Sequence, residues 1–509
     1  MRTFYDIHTH AFDLSHPNLS VFLQRQDLID GVVDSVMSFW VRLALPFVSL
    51  ASKKFIKKTV QKQLAKSGFI NQLNNTLAFF EIPIEYQFLV MDHFLRADRR
   101  HNTQRPNASR HPELDLGSPV IEGIAGQARN DGYCNDGGID AGCVIGAEVY
   151  NKIVLCPLMI DFGRKNIQGS AFYNLTPKTP IAAQVSDLFY AIRTYCRFDV
   201  EIENNKMRLQ PVEGWADRKH EKLFEIYPFM GIDTRNYDTK RELIALLDKY
   251  FKAFNGEETA EERRGCLFEK MGLLDSNLYR DRQNLTADDR ESLRKRHIAA
   301  DYQYAFAGIK VYPQLGFDPY PDDADERDKV NCLYEYCIEK RIPVTTHCGD
   351  SGYKPEDNNH LTSPLERWAK VLNDYPLLTL NFAHFGSQTE RKKTQWRDGI
   401  IELTAKYDNV YTDISCKPAA YYTELKKLIA AYPRLRERVL YGSDFSINLL
   451  VTDTECYNDN LEAFLNSELE PACKVSLSEG NPERFLFGGK EYKKQSSIKL
   501  EVAPDTNKG

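Results

Sequence analysis

Two histidines stand two residues apart in Phe4-Tyr5-Asp6-Ile7-His8-Thr9-His10, where a short apolar, β-prone run ends. On a strand, that spacing puts both rings on one face. Each buried imidazole needs a partner for its ring nitrogens, so such a pair is poorly explained by packing. A divalent cation such as Zn²⁺ explains it well, because neutral imidazole is a good ligand for a borderline metal. The pair alone is also compatible with two surface histidines at a strand end. Three more apolar runs, over three hundred residues downstream, close on Thr346-His347-Cys348-Gly349, Ala383-His384-Phe385-Gly386 and Gly442-Ser443-Asp444.

These endings need elements that bring them together. Continuous apolar runs of the kind shown by parallel strands covered on both faces recur along the chain. They are Phe4–His8, Lys152–Ile160, Phe224–Ile232, Phe306–Tyr312, Ile342–His347, Leu377–His384, Val410–Ile414 and Val439–Asp444. Helical patterns lie between most of them: Ala182–Thr194, Lys240–Phe254 with Ala260–Leu274, Lys329–Lys340, Pro364–Asp374, Thr394–Lys406 and Tyr421–Ala431. Strand and helix in alternation predict a parallel α/β architecture, and eight repeats favour a closed TIM-type (β/α)8 barrel over an open sheet. In such a barrel, chemistry sits at the C-terminal edge of the strands, where these four endings would meet at one mouth. Four of the eleven histidines and an aspartate, all at strand ends, are a far less probable accident than any one alone.

The 509 residues, 42% apolar and 27% charged, are those of a globular protein with a large core. A net charge of -6 and a pI near 6.1 argue against a general nucleic-acid or anionic-membrane binder. Eleven scattered cysteines, without thiolate-zinc spacing, predict reduced thiols in a cytoplasmic protein. No signal peptide is expected. Gly31–Leu50 is nearly long enough to span a bilayer but carries Asp34, Arg42 and Pro46; a buried or lid helix kinked at Pro46 is expected rather than a membrane span. The barrel is expected over residues 1–489, with a helical cap at 21–99, a disordered insertion at 100–142, a helical insertion at 233–305 and a flexible tail at 490–509. Residues 100–142 are rich in Gly, Asn, Asp and Arg and cannot bury enough surface to offset chain entropy. The segment His111–Gly132 resembles peptides encoded by interspersed palindromic repeats in some bacterial genomes, and no chemistry is assigned to it.

With His8, His10, His347, His384 and Asp444 in order, and Gly480-Asn481-Pro482-Glu483-Arg484-Phe485-Leu486-Phe487-Gly488 at the close, the chain resembles the amidohydrolase superfamily of metal-dependent hydrolases. It is most similar to the amidohydrolase-related branch that includes aminocarboxymuconate-semialdehyde decarboxylase. The resemblance implies that His8, His10, His347 and Asp444 ligate one divalent ion, Zn²⁺ before Mn²⁺ or Fe²⁺, and that His384 lies beside it as a catalytic residue. Three imidazoles and a carboxylate leave a position open for water, as catalytic zinc sites do. Asp444 could ligate through one oxygen and take the water's proton through the other, while His384 polarises a carbonyl or protonates a leaving group.

Lys310, in Gly308-Ile309-Lys310-Val311-Tyr312-Pro313, is a third catalytic candidate with three open readings. In some branches a lysine ending the fourth strand is carboxylated and bridges two metals. As an ammonium, the preferred reading, it would bind a substrate carboxylate or oxyanion; the bland reading is a salt-bridged structural lysine. Gln314–Asp323 is expected to line the mouth, Asp322–Asp328 to be a solvated turn, and Asp413 and Arg367 are candidates for groups behind the site. There is no phosphate loop, nucleophile elbow or dinucleotide turn. The sequence thus predicts a metal-dependent hydrolase of a C–N or C–O bond in a small carbonyl compound. The alternatives are a metal-dependent decarboxylase, a lyase of a small unsaturated or aromatic acid, and an inactive barrel acting as a scaffold. The expected partner is a small-molecule substrate, with a carboxylate-bearing one suiting Lys310.

Overall fold

The structure is a computed structural model that describes residues 2–11, 82, 84–104, 143–161, 180–203, 206–273, 305–352, 358–389, 393–451 and 456–488. The remaining residues, including most of the expected cap, the 105–142 part of the insertion, residues 274–304 and the tail, lie outside the described residues.

Eight parallel staves form the core: β1 (Arg2–Thr9), β2 (Glu148–Pro157), β3 (Phe224–Ile226, resuming at Phe229–Gly231), β4 (Gly308–Val311), β5 (Val344–Thr346), β6 (Leu380–Phe382), β7 (Val410–Asp413) and β8 (Val439–Leu440). Each pairs in parallel with its successor. The sheet closes on itself where Ile7 N donates to Tyr441 O at 3.1 Å and Asp444 N donates to His8 O at 2.6 Å. The fold is therefore an α/β TIM-type (β/α)8 barrel. Every residue of β4 to β8 is buried, as strands covered on both faces require.

Two irregularities depart from the simple strand pattern. The expected run Phe224–Ile232 is broken at Pro228, which has no N–H to give to the ladder. In β1 the register against β2 slips between Asp6 and Thr9, and such irregularities re-aim side chains beside active sites. Tyr5 meets Phe487, whereas Phe4 meets Tyr441 and Phe464.

The longer helices between staves are α1 (Ile84–Gln104), α2 (Pro180–Arg197), α3 (Lys240–Phe251), α4 (Ala260–Lys270), α5 (Ala324–Glu339), α6 (Arg367–Asp374), α7 (Gln395–Lys406) and α8 (Tyr421–Ala431). α5 starts five residues before the expected Lys329, because the Asp323 side chain accepts from Glu326 N at 2.9 Å and caps it. Most of the acidic stretch read as a solvated turn is thus helix. Thr259 and Glu262 form a reciprocal capping box on α4. α1, the described part of the expected cap, packs against α2, and its Asp92 accepts from Tyr195 OH at 2.6 Å and from Leu223 N at 3.4 Å. That contact lies at the start of β3, the end of the barrel away from the mouth. At the same end Asn481 of the closing segment donates to Val439 O at 2.6 Å, and Phe485 stacks on Phe229.

Candidate metal centre

β1 carries His8 into the centre of the barrel mouth, fully buried, with Gly442 pressed against it. A Cβ at Gly442 would lie 2.7 Å from His8 Cβ, so only glycine lets β8 close there. His8 Nδ1 lies 3.0 Å from both Asp413 Oδ2 and Ser415 Oγ, so that nitrogen carries the proton towards the carboxylate. Its Nε2 is buried, has no hydrogen-bond partner and lies 3.9 Å from Asp444 Oδ2. His10 Nδ1 lies 2.6 Å from Leu158 O; a carbonyl only accepts, so this nitrogen is the N–H. His10 Nε2 then turns its electron pair towards Asp444 Oδ1, 3.5 Å away. Hydrogen bonds that fix the tautomer of an imidazole in this way are what hold metal-ligating histidines.

Asp444 follows β8 in a left-handed conformation (φ +47°). Its Oδ2 accepts from the Cys416 thiol at 2.9 Å, while Oδ1 is buried without a hydrogen-bond partner. His384 also has a left-handed backbone (φ +62°), as do Phe385 (+48°) and Cys416 (+54°). Among the described residues, four of the five non-glycine residues with positive φ therefore sit at these strand ends. Each such conformation costs about 1 kcal/mol or more, and strain of this kind clusters at functional sites.

Donor atoms of His8, His384 and Asp444 all lie within 4.8 Å of one another. His10 borders that group through Asp444. His347 reaches it only through His384, with its Nδ1 3.1 Å from His384 Nε2. His347 Nε2 is engaged by Ser351 O at 2.8 Å, and its ring stacks on Tyr312. The geometry thus gives His384, rather than His347, the position next to His8 and Asp444. Burial pushes His10 down to about 4 and His347 down to about 3, so both rings are neutral and carry electron pairs at physiological pH.

Lys310, ending β4, is 1% exposed and its Nζ has no hydrogen-bond partner. Burial pushes the ammonium down to about 8, against the pull of Asp413 and Asp444. His8 Nε2, Asp444 Oδ1 and Lys310 Nζ are three buried polar atoms with no hydrogen-bond partner. Orphans of this kind cost kcal/mol each and point to a cation and an anion from outside the chain. The donor set fits a divalent metal of the zinc type.

Sequence reasoning undervalued Asp413. Its carboxylate, fully buried at the end of β7, accepts from His8 Nδ1, Asn381 Nδ2 (2.8 Å), His384 N (3.0 Å), Ser415 N (3.1 Å) and Ser415 Oγ. Burial alone would raise it, but the His8 ring and these bonds hold it well below the usual carboxylate range. Asp6, likewise buried, accepts from Ser443 N (2.9 Å), His8 N (3.3 Å) and Tyr457 OH (3.2 Å), tying the ends of β1 and β8 together. Arg367 lies away from the centre: it pairs with Asp318 at 2.7 Å and Asp322 at 3.1 Å and holds the mouth loop. In that loop Gln314 donates to Gly349 O at 2.8 Å and so braces the turn after His347.

The ten described cysteines form no disulfide, and no helix among the described residues is long and apolar enough to cross a membrane. No curated protein matches the sequence. Among solved structures, the chain is similar to an uncharacterised TIM-barrel protein from Bordetella bronchiseptica (20% identity, 40% of this chain and 63% of that one, TM-score 0.27). It is also similar to an amidohydrolase from Bifidobacterium longum subsp. infantis (17%, 36% and 61%, TM-score 0.25). A third is a putative 2-pyrone-4,6-dicarboxylic acid hydrolase from Pseudomonas putida (17%, 41% and 70%, TM-score 0.27). The chain spans less than two thirds of the first two, and the barrel rests on its own strand pairing rather than on these likenesses. The amidohydrolase family model matches residues 214–488, which run from just before β3 through the closing helix and include Lys310, His347, His384, Asp413 and Asp444. That span is more than half of the 509 residues, and the chain belongs to the amidohydrolase family, whose members are in general metal-dependent enzymes.

Proposed function

We propose that the chain is a metal-dependent hydrolase acting on a C–N or C–O bond of a small carbonyl compound. The observation that carries this reading is the set of three buried orphans, His8 Nε2, Asp444 Oδ1 and Lys310 Nζ, around one barrel mouth. His8, His10 and Asp444 would hold the ion, with the fourth donor from the His347–His384 pair; zinc suits the mixture of imidazole and carboxylate best, ahead of manganese or iron. When bound, such an ion acidifies water and polarises a carbonyl.

The chain's own groups do the rest. Asp413 fixes His8 with Nδ1–H turned away from the centre and so keeps Nε2 available. Asp444, held by the His8 carbonyl and by Cys416, presents Oδ1 to the ion. Whichever of His347 and His384 is not a ligand is placed to polarise the substrate carbonyl through a ring N–H. Lys310, as an ammonium with no hydrogen-bond partner in the chain, draws a carboxylate or developing oxyanion into the mouth.

Elemental analysis followed by a screen of lactones, esters, amides and unsaturated carboxylic acids tests the proposal. Stoichiometric metal with hydrolysis supports it, release of CO₂ makes the protein a carboxy-lyase instead, and metal-free inactive protein makes it a scaffold.

A further inference from the structure

Cys416 combines two observations that packing alone does not explain. It is a β-carbon-bearing residue in a left-handed conformation (φ +54°), and its side chain ends on Asp444, the thiol lying 2.9 Å from Oδ2. Oδ1 of the same carboxylate is the buried orphan, 3.5 Å from His10 Nε2. The residues just before it, Asp413 and Ser415, hold His8 and His384, so one turn of chain after β7 touches three site side chains. The S–H occupies Oδ2 and leaves Oδ1 facing His10 Nε2, with the orphaned His8 Nε2 3.9 Å from Oδ2.

We propose that Cys416 is a positioning residue that sets the metal affinity of this site by holding the Asp444 carboxylate through Oδ2. The inference rests on the reading of Asp444 as a ligand. A carboxylate without this partner can rotate, and the ion then finds its oxygen ligand in place only part of the time. Partners of this kind behind metal ligands are worth about 10- to 100-fold in affinity.

The test compares Cys416→Ala, which removes the donor, with Cys416→Ser, whose hydroxyl retains it; both share the left-handed backbone. Zinc affinity is measured by chelator competition, and thermal midpoints are taken on the metal-free proteins. Cys416→Ala should bind zinc about 10- to 100-fold more weakly, Cys416→Ser within about threefold of the parent, and the two metal-free midpoints should agree within about 2 °C. If Cys416→Ala does not fold, Cys416→Gly removes both thiol and strain and should show the same loss. Parent-like affinity in the Ala or Gly protein overturns the role of Cys416 alone, as does an equal loss in the Ser protein. A parent protein that takes up no zinc overturns the reading of the site beneath it.

Discussion

Replacing Asp413 with asparagine should damage the site more than any other isosteric change. The carboxylate takes five hydrogen bonds from four residues, and each oxygen serves more than one donor. An asparagine keeps one acceptor oxygen but turns an NH₂ towards the donors that met the other. Two or more buried donors then lose their partner, at about 1–3 kcal/mol each, and because the five share one hub the total is not additive. A loss of about 2–4 kcal/mol in the metal-free protein follows. His8 also loses the bond that fixes its tautomer, which should weaken metal binding about 10- to 100-fold, equivalent to about 1.4–2.7 kcal/mol. Urea unfolding of the metal-free protein and chelator competition measure the two effects separately. An Asp413→Asn protein matching the parent within about 0.5 kcal/mol and about threefold in affinity would refute the view that this carboxylate organises the centre.

Other expectations are equally direct. Removing metal from the parent should lower its stability by about 2.7 kcal/mol relative to protein held at a free metal concentration 100 times Kd, read from unfolding midpoints. Of His347→Asn and His384→Asn, the one that loses its ligand should lose stoichiometric metal, while the other keeps metal and loses turnover; retention of both properties in either variant contradicts the paired roles. Lys310→Met should abolish turnover yet stabilise the metal-free fold by about 1–3 kcal/mol by removing an unpaired buried ammonium. A bicarbonate-dependent mass increase on Lys310 would contradict the ammonium reading. Lys417, at the mouth with Nζ 3.1 Å from Ser387 Oγ, is pushed down to about 8 by burial. A cation whose folded pKa lies below its unfolded value penalises the fold while charged, so the penalty is full below about pH 8 and gone above about pH 10. Lys417→Met should therefore gain about 1–2 kcal/mol at pH 7 and nothing at pH 10.5, measured by urea titration at both pH values.

The barrel and its mouth were legible because parallel strands covered on both faces leave an unmistakable record: apolar runs with no polar alternation, four of which end on residues that packing does not call for. His8, His384 and Asp444 stood out for that reason. Asp413 did not, since a carboxylate at a strand end reads as a cap, and its partner His8 lies 405 positions away. Cys416 carried no signal at all, because neither its left-handed backbone nor its contact with Asp444 follows from neighbouring residue types. The order of His347 and His384 around the centre was equally hidden. It depends on Ser351 O meeting one ring nitrogen, a backbone contact that residue spacing does not encode. The early start of α5 could have been read from Asp323-Ala324-Asp325-Glu326, a cap followed by an acid three residues on.

In the proposed site, residues remote along the polypeptide share one ion. A crystal of the protein grown with zinc, with anomalous scattering recorded on either side of the zinc edge, tests it most directly. One strong peak is expected at the barrel mouth, bonded to His8, His10 and Asp444 at about 2.0–2.2 Å. No peak there, or a peak bound by none of these three, would contradict it.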